Sequence, residues 1–445
     1  MSSKVQNNIE AKSSEATRPC VLLRSSWQTV NIGDIGHSPG VITLLEKHIP
    51  EARIVLWAGN VDRGVREMLL RRFPDLEIVQ GQMGPDGRGD NEDLERALEE
   101  ADLLLHGSGP SVVAQDDLED WIKRTDKPFG IYGVTIDPLA IRTQPDEGGS
   151  LQDQRDAVRA LPADHISADL RAVLEKSQFV YCRDSLTLEY LQLQKVNCPC
   201  IEFAPDGAFG CDLHDDASAD AFMSKHGLKT GEFLSVIPRL RYTPYHEIHH
   251  QPQTPVTRER GRISDKYVDT DLSKMGATIT AWIEKTGMPV LLCPEMTYQV
   301  EVAKRLYDEH IPAEVKDKVV WRPDYWLPDE ACSTYERSHT VLSLDNHSPI
   351  FALALGTPTI FLRHPTDTTK GWMWPDIGMD EWFFEIDLCE GPEITEALLR
   401  IAEDRPAALE TVERLMKGVR AQQASTMAKV RESLEAAHAA RVGTV

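Results

Sequence analysis

VLLRSSWQTVNIGDIGHSPGVITLLEK, residues 21 to 47, divides into an apolar run (VLLRSSW), a Gly/Asp/Asn-rich stretch (QTVNIGDIGHSPG) and an apolar-periodic segment from Val41 to Lys47. That order predicts strand, loop, helix. It recurs outward along the chain. ARIVLWAG (52 to 59) precedes a helix containing Val65, Met68 and Leu69, and LEIVQG (76 to 81) precedes a helix over 91 to 100. ADLLLHGSG (101 to 109), FGIYGVTI (129 to 136), QFVYCRD (178 to 184) and CIEFAPD (200 to 206) read as further strands. Apolar runs alternating with helical periodicity predict a mostly parallel sheet with helices on both faces.

After Phe209 the polar segment GCDLHDDASADAFMSKHGLKTGE separates this series from a second, opened by FLSVIPRL (233 to 240). A helix over 271 to 286, MPVLLCP (288 to 294), a helix over 298 to 310, KVVWRP (318 to 323), SHTVLSLD (338 to 345) and TPTIFLR (357 to 363) continue it. Single cores stop growing near roughly 250 to 300 residues, so 445 residues divide into two domains. The expected plan is α/β, with a disordered lead-in over 1 to 20 and Rossmann-like doubly wound domains over 21 to 212 and 230 to 390. Helices over 391 to 445 are expected to pack across both. Ligands in such folds sit beyond the carboxyl ends of the strands, so two facing sheets share a cleft between the domains.

Composition narrows the partners. With 48 Lys+Arg against 71 Asp+Glu the formal charge is −23, which opposes adhesion to nucleic acid or anionic lipid, so an anionic substrate needs a local basic cluster. No apolar run approaches the roughly 20 residues of a membrane-spanning helix. The first twenty residues lack the apolar stretch of a secretory signal, and the eight cysteines show no CxxC pairing, so a soluble protein of the reducing cytoplasm is expected. Cys198-Pro-Cys200 has no matching second pair and reads as ordinary thiols.

The strand ends carry the chemistry. Asn31-Ile32-Gly33-Asp34 follows the first strand. There Gly33 permits close approach of a ligand to the backbone, and Asp34 is a general base or a carboxylate at a helix start, although the tetrapeptide also fits a plain Asx turn. Gly107, in His106-Gly107-Ser108-Gly109, brings main chain near a ligand or a neighbouring helix. Neither GxGxxG nor GxxxxGK[ST] occurs at these loops, and Ser108 lacks the setting of a nucleophile. Arg183 ends a strand, where it can clamp a carboxylate or phosphate or pair with Asp184 or Asp206. His347 precedes Ser348 and Pro349, which suit the N-cap and first position of an apolar helix, and free N–H groups at such a start bind anions. Arg363, His364 and Lys370 add cations to the same rim. His246, His249 and His250 fall in a Pro/Arg-rich stretch (241 to 266) too long for a simple connection; HxxHH can hold a metal, but a flap that gains order with ligand is the favoured reading, with no metal expected.

Taken in order, these elements resemble the polysaccharide pyruvyl transferase family. The matching motifs are N-x-G-D at Asn31 to Asp34, the Gly-rich end at His106 to Gly109, Y-G-x-[ST]-I-x-P at Tyr132 to Pro138, and Arg183. D-x-A-F at Asp206 to Phe209, Cys293-Pro294, H-S-x-x-x-A-x-x-x-G-x-P at His347 to Pro358, and Lys370 complete the series. The resemblance implies a GT-B-like pair of domains and transfer of a pyruvyl group from phosphoenolpyruvate to two hydroxyls of a sugar or lipid-linked glycan as a ketal, without a cofactor, in cell-surface polysaccharide biosynthesis. In that reading His347, Lys370 and the helix start hold the phosphate or supply an acid, Arg183 clamps the carboxylate, and Asp34 or Asp206 faces the acceptor. The chain departs from the family at one point: R-x-H is replaced by Asp345-Asn346-His347. An anion at that place must turn away or pair, for instance with Arg363 or Arg322, while Arg258, Arg260 and Arg262 could restore positive charge or mark another donor. Two further readings share the cleft: a GT-B-like glycosyltransferase in which His347 and Lys370 hold the diphosphate of a nucleotide sugar, and a non-catalytic relative.

Overall fold

The apolar runs become strands of two separate sheets. The computed structural model describes residues 18–84, 86–139 and 144–443; most of the expected lead-in lies outside them. Cys20–Ser25 (β1), Arg53–Ala58 (β2), Glu77–Val79 (β3), Leu103–His106 (β4), Phe129–Val134 (β5), Val180–Cys182 (β6) and Ile201–Phe203 (β7) form a parallel sheet in the order β3-β2-β1-β4-β5-β6-β7. Leu234–Ile237 (β8), Val290–Leu292 (β9), Val319–Trp321 (β10), Thr340–Ser343 (β11), Thr359–Arg363 (β12) and Phe383–Glu385 (β13) form the second, in the order β10-β9-β8-β11-β12-β13. In each sheet the order reverses beside the first strand, which opens a crevice at the carboxyl ends. The central strands β1, β4, β5, β8 and β11 are buried almost throughout, as their predominantly apolar sequences require when helices cover both faces. Only β13 has no counterpart among the expected strands.

Six helices bear on the site or tie the sheets together: α1 (Ile32–His48), α2 (Tyr245–Ile248), α3 (Pro255–Thr286), α4 (His347–Ala354), α5 (Gly391–Glu403) and α6 (Arg405–Val442). α1 corrects the reading of QTVNIGDIGHSPG as a loop. Asn31 is its N-cap, and every residue from Ile32 to Ile42 is buried, so the segment has no polar face from which a 3.6-residue period could be read. Its glycines serve close packing: a Cβ on Gly36 would lie 2.4 Å from the Phe351 ring, and one on Gly40 would lie 2.1 Å from the Gly207 carbonyl oxygen.

The stretch 241 to 266 is also corrected. It is not a long flap but the single-turn α2 followed by the first turns of α3, sixteen residues ahead of the expected helix start at 271. Thr254 caps α3 through a capping box with Thr257, and Pro255 occupies the first turn. The opening turns are rich in arginine and poor in apolar residues, so they carry no periodic stripe.

One apolar cluster runs continuously from Val21 to Leu434 through both sheets. At about 1.5–3 kcal/mol for each fully buried Leu or Ile, it holds the two halves as one packed body. α6 adds a strap. It starts against the second sheet, where Arg405 Nη1 donates to the His339 carbonyl (2.9 Å), and runs onto the first, where Gln422 donates to the Phe203 carbonyl (2.8 Å) and Thr426 meets the Tyr132 hydroxyl (3.1 Å). No helix among the described residues is long and apolar enough to cross a membrane.

Candidate active site

The carboxyl ends of the two sheets face each other across a cavity of about 440 Å³, lined from one side by Asn31, Asp34, His37 and Arg183 and from the other by Arg239, Arg241, Asp345, His347 and Lys370. At its floor, Asp206 is fully buried. Its carboxylate accepts from Arg183 Nη1 (2.6 Å) and lies 3.3 Å from Lys370 Nζ and 3.4 Å from His37 Nε2. Burial alone would raise this carboxyl, but His37, Lys370 and Arg183 outweigh it and hold Asp206 well below the usual range.

His347 joins the same cluster from the second sheet. Its Nε2 lies 2.8 Å from Lys370 Nζ and 3.1 Å from His37 Nε2, while Nδ1 lies 3.0 Å from Glu295 Oε1. An ammonium donating to Nε2 and a carboxylate accepting from Nδ1–H define a neutral imidazole in one tautomer. Burial, reinforced by Lys370, holds His347 well below its ordinary value, and burial with Arg183 nearby lowers the Lys370 amine to about 8. His37, Asp206 and His347 also offer three atoms within metal-ligating distance of one another. Lys370 contacts His347 and Asp206, and Arg183 contacts Asp206 and His37, so a divalent cation there would meet two positive charges at close range.

Glu295, which follows β9, connects the halves. Its carboxylate accepts from the backbone N–H groups of His347 (3.1 Å) and Ser348 (2.7 Å) and from the Ser348 hydroxyl (2.8 Å), and its own carbonyl accepts from Ile32 N–H at the start of α1 (3.0 Å). Burial raises its carboxyl, tempered by the bonds from Ser348. The free helix start expected after His347 is therefore not free: an internal carboxylate fills it, and Ser348 is engaged with Glu295 rather than open to a ligand. Gly33 is tight against the protein in the same way, since a Cβ there would lie 1.9 Å from His347 Nδ1. The close approach this glycine permits is to an imidazole.

The remaining expected residues separate. Asn31 accepts from Gly33 N–H (2.7 Å) as the cap of α1, and Asp34, held by Gln28, faces the cavity with its Oδ1 4.0 Å from His37 Nδ1. Gly107 does not reach the cavity lining; it packs against β1, where a Cβ would meet Ser25 Oγ at 2.8 Å. Arg363 is turned away and wholly buried, donating to Glu385 (2.8 Å) and to the Gly149 carbonyl (2.9 Å). It is therefore not the partner of Asp345, and neither is Arg322, which pairs with Glu330 at 2.8 Å.

The partner is Arg239 at the end of β8, 3.7 Å from Asp345 and bonded also to Asp367. Gln299 Nε2 donates to the same Asp345 oxygen (2.5 Å). Burial and the neighbouring Glu295 push the Asp345 carboxyl up to about 6. Arg241, two residues on, is held by Asp271 and Asp387 (both 2.9 Å). His37, Glu295, Arg239, Arg241 and Gln299 were all missed by sequence reasoning. Two signals existed: the strand-end rule applied to IPRLR, which places Arg239 and Arg241 at alternate positions, and the i,i+3 pairing of Asp34 with His37 once the segment is read as helical. His246, His249 and His250 belong to no group of three potential metal ligands among the described residues.

Two parallel sheets meeting at such a cleft define a GT-B-type architecture, and solved structures agree. The UDP-GlcNAc 2-epimerase of Neisseria meningitidis, bound to UDP-GlcNAc, superimposes with a TM-score of 0.54 at 13% identity over 93% of this chain and 100% of that one. A putative UDP-N-acetylglucosamine 2-epimerase of Listeria monocytogenes gives 0.53 at 11% identity, over 89% and 91% of the two chains. The likeness is one of fold. A comparison with curated proteins finds no match. A model of the polysaccharide pyruvyl transferase family matches residues 31–365, and the chain belongs to that family of transferases, which act on sugar acceptors.

Proposed function

We propose that the protein transfers the pyruvyl group of phosphoenolpyruvate to two hydroxyls of a sugar or lipid-linked glycan as a ketal, in the cytoplasm, for cell-surface polysaccharide. The observation that carries this reading is the buried group formed by Arg183, Lys370, His37 and His347 around Asp206, at the floor of a cleft between two sheets. It holds more cations than anions and a proton shared between an amine and an imidazole. Pyruvyl transfer from an enol phosphate needs both. The Lys370–His347 pair supplies a proton to the methylene carbon, Arg183 and Lys370 neutralise the carboxylate and phosphate, and Asp34 takes the proton of the attacking hydroxyl. The bond from the central carbon to the phosphate oxygen breaks, two bonds to sugar oxygens form, and phosphate leaves. Of the two hydroxyl protons released, one replaces the proton delivered to carbon and the other leaves on the phosphate.

Asp345 opposes an anionic donor, and Arg239 beside it offsets that charge. The test is phosphate release from phosphoenolpyruvate in the presence of sugar acceptors, alongside thermal shifts. Stabilisation by phosphoenolpyruvate together with phosphate release is expected. Stabilisation by nucleotide sugars and none by phosphoenolpyruvate contradicts the proposal in favour of glycosyl transfer, and indifference to both leaves a non-catalytic relative.

A further inference from the structure

The cavity has one side that its cationic floor does not explain. Among the described residues, the large apolar side chains that stand exposed include a single aromatic, Tyr245, at 39% exposure, and it lies in the lining of this cavity. It belongs to α2, the single turn between β8 and α3. The exposed His249 ring lies parallel to it, 3° between planes and 5.9 Å between centroids, held by the bond from His249 N–H to the Tyr245 carbonyl (3.0 Å). The phenol hydroxyl points inward, 3.4 Å from Gln28 Nε2, and Gln28 in turn holds Asp34.

From these positions we infer that the Tyr245 ring, braced by the parallel ring of His249, forms a platform for a sugar ring of the acceptor, placed so that the hydroxyls of the stacked ring turn toward Asp34. One face of a pyranose presents C–H groups and its edge presents hydroxyls. A flat aromatic face bordered by a hydroxyl, an amide and a carboxylate matches that split, as an apolar body with a polar handle. The opposite arrangement, with the sugar on the floor, would set uncharged hydroxyls among buried Arg183, Lys370 and Asp206, whose charges call for an ionic ligand. A proton taken by Asp34 has an onward path, because His37 Nδ1 is buried, has no hydrogen-bond partner and lies 4.0 Å from the Asp34 carboxylate. The inference rests on the pyruvyl-transfer reading and adds to it where the acceptor lies. It also gives His249, the middle histidine of HxxHH, a role that needs no metal.

Saturation-transfer NMR with methyl β-D-glucopyranoside and methyl β-D-galactopyranoside tests the platform without any donor chemistry. Saturation of ring C–H protons is expected for the wild type, falling about fivefold in Tyr245→Ala and staying within about twofold in Tyr245→Phe, which keeps the aromatic face. Equal saturation in Tyr245→Ala, or none in the wild type with either glycoside, overturns the inference. Calorimetry with phosphoenolpyruvate on the same samples keeps the two ideas apart: absent donor binding beside intact, Tyr245-dependent sugar saturation counts against pyruvyl transfer alone.

Discussion

The helices α1 and α4 start on opposite sides of one cleft, and both starts are closed by the protein's own oxygens. α1 is capped locally, by Asn31 two residues ahead of the N–H it binds. α4 is capped by Glu295, 52 and 53 residues away in sequence, whose backbone carbonyl also binds the first N–H of α1. A local cap stabilises one helix. A distant residue that serves one helix with its carboxylate and the other with its carbonyl fixes the geometry between them, and with it the distance from His347 to His37 and Lys370. The difference teaches where catalysis and stability meet: loosening Asn31 costs a helix end, whereas loosening Glu295 releases the imidazole as well.

Glu295→Ala should therefore have the largest effect. Two buried N–H groups, a hydroxyl and an imidazole lose their acceptor, and a stability loss of about 3 kcal/mol is expected in chemical denaturation. Glu295→Gln keeps the shape and one acceptor oxygen but not the charge orienting His347, so turnover should fall about 100-fold with a smaller loss of stability. Equal effects of Glu295→Ala and Asn31→Ala would remove the distinction between the two caps.

Lys370 sharpens the comparison through pH. Burial and Arg183 lower its amine to about 8, so the ammonium is present below that value and lost above it. Donor kcat/KM should decline about tenfold per unit above pH 8, and Lys370→Arg, which keeps its charge, should move that limb upward. Asp345 weakens donor binding with rising pH as well, by gaining charge where Lys370 loses it. It gains its negative charge as pH rises through about 6, so Asp345→Asn should lower the donor KM about 3- to 10-fold at neutral pH and change it little at pH 5. Asn31→Ala should cost about 1 kcal/mol, seen in thermal unfolding, as the loss of a single N-cap bond does.

The strands were legible because a strand buried on both faces shows little alternation of apolar with polar residues, and short apolar runs appear in the chain within VLLRSSW, ADLLLHGSG and SHTVLSLD. α1 was illegible because a helix buried on all sides, with glycines fitted to His347 and Phe351, carries no polar face. Within the site, His347, Asp34, Arg183, Asp206 and Lys370 could be picked out from strand ends and family motifs, and four of them, with His37 added, meet in one buried group. What their neighbours do could not be read. That Asp345 departs from the family was plain in the sequence, yet its partner Arg239 lies more than a hundred residues earlier, and Glu295 announces itself by nothing in Cys-Pro-Glu. Arg363 closes a strand much as Arg183 follows one, but its side chain is bonded to Glu385 of β13.

The fate of the donor carbon tests pyruvyl transfer most directly. NMR of phosphoenolpyruvate labelled at its central carbon, incubated with a glycoside acceptor, should show that carbon converting to a ketal as inorganic phosphate appears, with His347→Ala folded but forming no ketal. A labelled carbon that remains in phosphoenolpyruvate, or that is released only as pyruvate while every acceptor stays unmodified, would contradict it.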